Sequence, residues 1–222
     1  MSEKIKNIIF DLGGVILDID ESMAIHELEK LPINNLELIH GEEFKAIDER
    51  FEKGIITAAT FRKRVKKLFG LNRLSDVDFD FVWNSVLLDI PRERIQALEE
   101  IKQHYNIFLM SNTNEIHYDL YVRDLQLRFG YKQFDDLFDK SYFSFDVHLL
   151  KPDPLFFEFI LDQQGLKPEE TLFIDDTAAN VLEARKLGIH TFHIHRDELV
   201  RNFFQNGILK PETELDELRV ES

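Results

Sequence analysis

IIFDLGGVIL, residues 8–17, runs from branched apolar residues into a single carboxylate, Asp11, and then into two glycines, Gly13 and Gly14. A short, continuous apolar run reads as a strand of a parallel sheet, buried on both faces. NIFLMSN (106–112), TLFIDD (171–176) and HTFHIH (190–195) have the same character, and KSYFSF (140–145) is a fainter version of it. Helical stretches separate them: 91–105 opening on Pro91, 114–130 closing on Gly130, 153–165 closing on Gly165 and 177–188 closing on Gly188. A proline suits the first turn of a helix and a glycine its end. Strands alternating with helices predict an α/β fold around a parallel sheet.

Residues 18–90 break the alternation. They offer no convincing strand, only helical periodicity such as Phe61, Val65 and Leu68 or Phe79, Trp83 and Leu87. An all-helical insert after the first strand is the expected arrangement. The closing PETELDELRVES (211–222) is acidic and reads as a helix or a frayed tail.

Composition narrows the function. The 222 residues carry a formal net charge of -15, which argues against nucleic acid or an anionic membrane as partner, because phosphate backbones call for Lys and Arg. The 44% hydrophobic content, with 20 phenylalanines, is enough for a real core. With no cysteine there is no disulfide, no cysteine–zinc site and no thiol nucleophile. No apolar run reaches the ~20 residues of a membrane span, and no signal-peptide pattern opens the chain, so a cytoplasmic location is expected.

The polar residues gather at the strand ends. Asp11 closes the first strand, Ser111 and Asn112 the second, and Asp175 and Asp176 the third, with Lys151 ahead of PDP at a helix start. Open parallel sheets bind ligands outside the carboxyl ends of their strands. Three carboxylates suit Mg²⁺, which prefers oxygen ligands. A lysine, a hydroxyl and backbone N–H groups at helix starts suit a phosphate. A carboxylate so placed can attack phosphorus.

Asp11 in FDLGGV, Ser111 in LMSNTN, Lys151 in KPDP and the acidic pair of FIDDTAANV together resemble the four motifs of the haloacid dehalogenase-like hydrolase superfamily, and within it the bacterial α-D-glucose-1-phosphate phosphatase group. The resemblance implies a Rossmann-like three-layer core formed by residues 1–17 and 91–222, with a small helical cap over 18–90. It also implies roles. Asp11 is the nucleophile, and Gly13 offers a backbone carbonyl to Mg²⁺. Ser111 and the Asn112 backbone bind the phosphoryl group, which Lys151 neutralises. Asp176 is the direct metal ligand of the pair, Asp175 assists or binds too, and Asn180 orients Asp176. The expected function is a Mg²⁺-dependent phosphatase acting on a small phosphorylated metabolite, as a monomer or weak homodimer.

The chain departs from the family pattern at one position. Most such phosphatases carry a second aspartate two residues after the nucleophile, serving as general acid and base, and here that residue is Gly13. Turnover is then expected to depend on leaving-group acidity, unless a cap residue or a bound water supplies the proton. A catalytically weak binding protein of the same fold, and a haloacid dehalogenase in which the carboxylate attacks carbon without a metal, are the competing readings. A phosphomutase would need the missing aspartate, and the motif order is wrong for a phospho-receiver. His40, Glu42, Glu43, Asp48 and Glu49 are the candidate substrate contacts in the insert. RKRVKK (62–67) reads as a solvated helix face, Trp83 as insert core, and His193 and His195 as lacking a third ligand for a metal site.

Overall fold

The computed structural model describes residues 5–33, 35–195 and 200–211. Five parallel strands, β1 (Asn7–Phe10), β2 (Asn106–Ser111), β3 (Lys140–Phe143), β4 (Thr171–Asp175) and β5 (His190–His193), form one sheet in the order β3-β2-β1-β4-β5. All five apolar runs are strands, including the faint one at 140. β1 lies at the centre, with Phe10 level with Leu109 on one side and Ile174 on the other.

The pleat sends alternate residues to opposite faces, and each face has its own core. Ile8, Phe10, Ile107, Leu109, Leu172 and Ile174 pack with Leu98 of α5 (Arg92–Ile101) and with Tyr121 and Leu125 of α6 (Glu115–Phe129). Ile9, Phe108, Met110 and Phe173 pack on the other side against Phe156, Phe157 and Ile160 of α9 (Pro154–Gln164) and Ala184 of α10 (Ala178–Lys186). Two single-turn helices, α7 (Phe134–Leu137) and α8 (Ser144–Val147), flank β3. A two-residue hairpin, β6 (Phe204–Gln205) and β7 (Ile208–Leu209), follows β5. Of the acidic closing stretch only Pro211 is among the described residues.

Between β1 and α5 the chain is helical: α1 (Glu21–Glu29), a 3₁₀ turn (Leu36–His40), α2 (Glu42–Glu52), α3 (Ala58–Phe69) and α4 (Asp76–Asn84). Among the described residues of this segment the bridges are isolated ones, Gly13 to Leu17 and Ile19 to Leu87. These helices enclose a third core, in which Phe51 and Phe61 stack with ring centroids 4.1 Å apart. The buried positions of α3 are Phe61, Val65 and Phe69, with Leu68 only partly covered. Of the basic residues of α3, Lys63, Arg64 and Lys67 are exposed as expected, whereas Arg62 makes two bonds to Asp80 and Lys66 pairs with Asp76, clamping α3 to α4. The entering and leaving strands of chain run side by side, with Asp18 N–H bonded to Asp89 O at 2.7 Å and Leu88 N–H to Asp18 O at 2.9 Å. Arg94 adds a 2.6 Å ion pair to Asp18. Among the described residues no helix is long and apolar enough to cross a membrane.

Candidate active site

The carboxyl ends of β1, β2 and β4 open into a cavity of about 700 Å³ between the sheet and the inserted helices. Asp11, Gly13, Ser111, Asn112, Lys151 and Asp176 line it, and Asn180 contributes to the wall. β1 ends one residue short of Asp11, whose N–H still bonds to Ile174 O at 2.9 Å and so holds it at the sheet edge. Carboxylate oxygens of Asp11, Asp175 and Asp176 all lie within 4.8 Å of one another.

Lys151 reaches between two of these acids, 2.7 Å from Asp11 Oδ1 and 2.7 Å from Asp175 Oδ2, with its side chain 1% exposed. Burial works against its charge, but Asp11 and Asp175 outweigh that and hold the ammonium above the ordinary lysine value. Burial pushes the Asp11 carboxyl up to about 7 against the pull of Lys151, with Asp175 adding to the rise. Burial and the charge of Asp175 raise Asp176. Three carboxylates thus face one ammonium, and the excess of negative charge is buried. A set of hard oxygen donors with excess negative charge fits a divalent cation such as Mg²⁺.

The loops are fixed by their own polar groups. Asn112 exchanges two 2.9 Å bonds with the backbone of Lys151, N–H to Oδ1 and Nδ2 to O, which ties the end of β2 to the lysine. Ser144 Oγ accepts from Thr113 N–H and donates to Thr113 O, at 2.9 Å each. Asp11 Oδ1 accepts from Leu12 N–H at 2.7 Å as well as from Lys151, so Oδ2 is the oxygen left unengaged by described residues.

The structure separates the two glycines and corrects the role expected of Asn180. The two glycines after Asp11 are not equivalent. Gly14 alone has a positive φ, +72°, and a Cβ there would stand 2.1 Å from Asp176 Oδ2. Gly13 has an ordinary backbone, and a Cβ there would meet the tip of Ile19 at 3.3 Å. The close approach that requires glycine is therefore at position 14. Asn180 bonds to Asp175, not to Asp176. The spacing suggested a helical i,i+4 relation to Asp176, but α10 begins only at Ala178, and the strand-end aspartate is the one that points inward.

On the insert side none of His40, Glu42, Glu43, Asp48 and Glu49 lines the cavity; Glu52, one turn beyond Asp48 at the end of α2, does. The available signal was its place directly after the buried Phe51 and before Gly54, where the chain turns onto the core. A Cβ at Gly54 would fall 2.1 Å from Phe145 O, so the end of α2 touches the core backbone there. His117, in the first turn of α6, is the other wall residue the motifs did not indicate. Its ring stacks on Trp83 at 5.4 Å and 4°, its Nδ1 lies 2.8 Å from Asn84 Oδ1, and burial pushes its pKa down to about 3. Trp83 is thus both insert core and a bridge to α6. His193 Nε2 lies 2.9 Å from the carbonyl oxygen of Asp176, and the only metal-type cluster among the described residues is the aspartate trio.

The family profile of haloacid dehalogenase-like hydrolases matches residues 5–188. The D-ribitol-5-phosphate phosphatase of Bacteroides thetaiotaomicron is 30% identical over 189 residues, covering 85% of this chain and 91% of that protein. Among solved structures, a HAD family enzyme from Bacteroides thetaiotaomicron in complex with magnesium and inorganic phosphate superposes with a TM-score of 0.81 at 35% identity, covering 90% of this chain and 100% of that one. A predicted HAD-like family hydrolase from Porphyromonas gingivalis gives a TM-score of 0.81 at 29% identity, covering 99% and 100%. The sheet order, the strand-end acids and these likenesses agree, and the chain belongs to the haloacid dehalogenase-like hydrolases.

Proposed function

We propose that this hydrolase is a Mg²⁺-dependent phosphatase of a sugar or polyol phosphate, working through an aspartyl-phosphate on Asp11. The observation that carries the reading is Lys151 held between Asp11 and Asp175 at the floor of a cavity wide enough for a small metabolite. The likeness to a D-ribitol-5-phosphate phosphatase and to an enzyme crystallised with magnesium and phosphate supports it.

In this reading Asp11, Asp176 and the Gly13 carbonyl hold the metal, with Asp175 assisting. The metal supplies charge neutralisation between the anionic nucleophile and the anionic substrate. Ser111 and the Asn112 backbone bind the phosphoryl oxygens. The Lys151 ammonium neutralises charge on them and is kept in line by Asn112. Asp11 attacks phosphorus and water then releases phosphate. Residues 18–90 act as a cap that closes the cavity and selects the organic part of the substrate. The dehalogenase alternative leaves Asp176 and its tight fit against Gly14 without a task.

The test is phosphate release by the purified protein from a panel of sugar and polyol phosphates, with Mg²⁺ and with chelator. Release that needs Mg²⁺ and disappears in Asp11→Asn is the expected result. Turnover of 2-haloacids in chelator, with no phosphate released from any member, would overturn the reading.

A further inference from the structure

Gly13 leaves the cavity without the side chain that usually donates a proton to the departing oxygen, so another group has to supply it. Several candidates in the wall are otherwise committed. Lys151 is engaged by two aspartates, and Tyr121 Oη donates to Thr113 Oγ1 at 3.0 Å. His117 is held neutral by burial. Glu21 is exposed at the start of α1. Of the carboxylic acids in the wall outside the strand-end trio, Glu52 remains, and it enters from the insert, across the cavity from the strand ends.

We propose that Glu52 is the general acid and base of this enzyme, standing in from the cap for the aspartate absent at position 13. The inference rests on the phosphatase reading. In-line displacement puts the leaving oxygen opposite Asp11, and so on the cap side of phosphorus. Asp11 forms its bond to phosphorus as the bond to the ester oxygen breaks, and the Glu52 proton passes to that oxygen to give the free alcohol. The Glu52 carboxylate then takes a proton from the water that attacks phosphorus. The Asp11–phosphorus bond breaks, inorganic phosphate leaves, and Glu52 is again protonated.

The end of α2 is anchored for this task. Beyond Glu52, the Lys53 carbonyl meets His148 Nδ1 at 2.7 Å, and Gly54 lies directly against Phe145 O. The surroundings also keep the proton on. Burial pushes the Glu52 carboxyl up to about 8, the negative charges of Asp48 and Glu49 on its own helix add to the rise, and Lys151 across the cavity opposes it. Asp48, one turn earlier, has a buried Oδ1 with no hydrogen-bond partner among the described residues and is itself pushed up to about 6 by burial. An acid of this kind is loaded at neutral pH, as a proton donor must be.

The experiment compares wild type and Glu52→Gln, as full chains with Mg²⁺, on p-nitrophenyl phosphate and on D-ribitol 5-phosphate. A p-nitrophenolate leaves without a proton, whereas a primary alkoxide does not. General acid catalysis contributes ~10²–10⁴-fold. Glu52→Gln is therefore expected to lose on that order in kcat/KM on the polyol phosphate and less than about tenfold on the aryl ester. Formate is expected to restore part of the alkyl activity in Glu52→Ala, which a structural role would not allow. Equal losses on both esters, or none, with no formate rescue, would overturn the assignment while leaving the phosphatase reading intact. Absence of phosphate release by wild type from either ester, and from the whole panel, would overturn both. Should Glu52→Gln fail to fold, Glu52→Asp keeps the carboxyl but draws it back by one methylene, and it is expected to lose more on the polyol phosphate than on the aryl ester; equal losses would overturn the assignment.

Discussion

Asn180 turns one amide nitrogen toward both oxygens of Asp175, 3.0 Å from each. Asp175 also accepts from Thr177 N–H at 2.7 Å and from Lys151 at 2.7 Å, and it is fully buried. Its oxygens are spoken for by the protein, whereas Asp176 is partly exposed to the cavity and, among the described residues, receives a 3.2 Å side-chain bond from Thr177 Oγ1. The adjacent aspartates are therefore expected to fail differently. Asp175→Ala leaves Lys151 and Asn180 short of a partner, and breaking a buried pair in this way costs about 3–5 kcal/mol. Asp176→Ala should keep nearly wild-type stability in urea and lose Mg²⁺ binding. Calorimetric titration with Mg²⁺, together with denaturant unfolding, separates the two.

Gly14 is expected to tolerate no side chain. Its φ of +72° disfavours any L residue, and a Cβ would overlap Asp176. Gly14→Ala should displace Asp176 and lower Mg²⁺ affinity and turnover together. Gly13→Ala needs only a small shift of the Ile19 methyl and should keep its melting temperature within a few degrees. Melting curves with and without Mg²⁺ distinguish them: the Mg²⁺-induced rise should persist in Gly13→Ala and vanish in Gly14→Ala.

His117 should make stability sensitive to acid. Burial holds its folded pKa at about 3, against 6.5 for an ordinary histidine. Below pH 6.5 the unfolded chain binds a proton that the folded chain refuses, so stability rises with pH across this window and is lost as pH falls from 6.5 toward 3. His117→Phe keeps a ring against Trp83 but cannot titrate. The variant should be less stable overall, because Asn84 loses its partner, yet its unfolding free energy should fall less between pH 7 and pH 5 than that of wild type.

The sheet was readable from sequence because each strand is a local apolar run, and the acids were readable because they sit where those runs stop. Asp11, Ser111 and Asp175 needed only that rule. Asn180 was misassigned because linear spacing cannot say which of two adjacent aspartates points inward at the end of a strand. Gly13 and Gly14 look alike in the sequence, and the φ and the overlap with Asp176 that set position 14 apart exist only once the loop closes. Glu52 and His117 escaped for a different reason. Glu52 lies on a helix whose own periodicity says only that Phe51 is buried. What gives it meaning is the approach of α2 to the strand ends, made through Gly54 and Phe145, about ninety residues apart in sequence.

Lys151 offers the sharpest test of how the site balances charge. Its ammonium is almost wholly buried, touches Asp11 and Asp175, and lies 5.6 Å from the centre of the Phe173 ring. Lys151→Met should fill the same volume but leave two buried carboxylates without their counter-ion, destabilising the protein by about 3–5 kcal/mol at neutral pH. Added Mg²⁺ should return more stability to this variant than it gives to wild type, because the metal then supplies positive charge that the lysine no longer does. Turnover should not return with it, since no group is left to neutralise the phosphoryl oxygens on that side. Lys151→Arg keeps the charge but puts a larger planar guanidinium where one buried ammonium nitrogen sits 2.7 Å from each of two aspartates, so it must displace one of them. It should be inactive as well, despite its conserved charge. Melting temperatures measured across a Mg²⁺ series, beside phosphate release at saturating substrate, check both halves: a Lys151→Met protein that Mg²⁺ stabilises no more than wild type would show that the metal and the lysine do not share this charge.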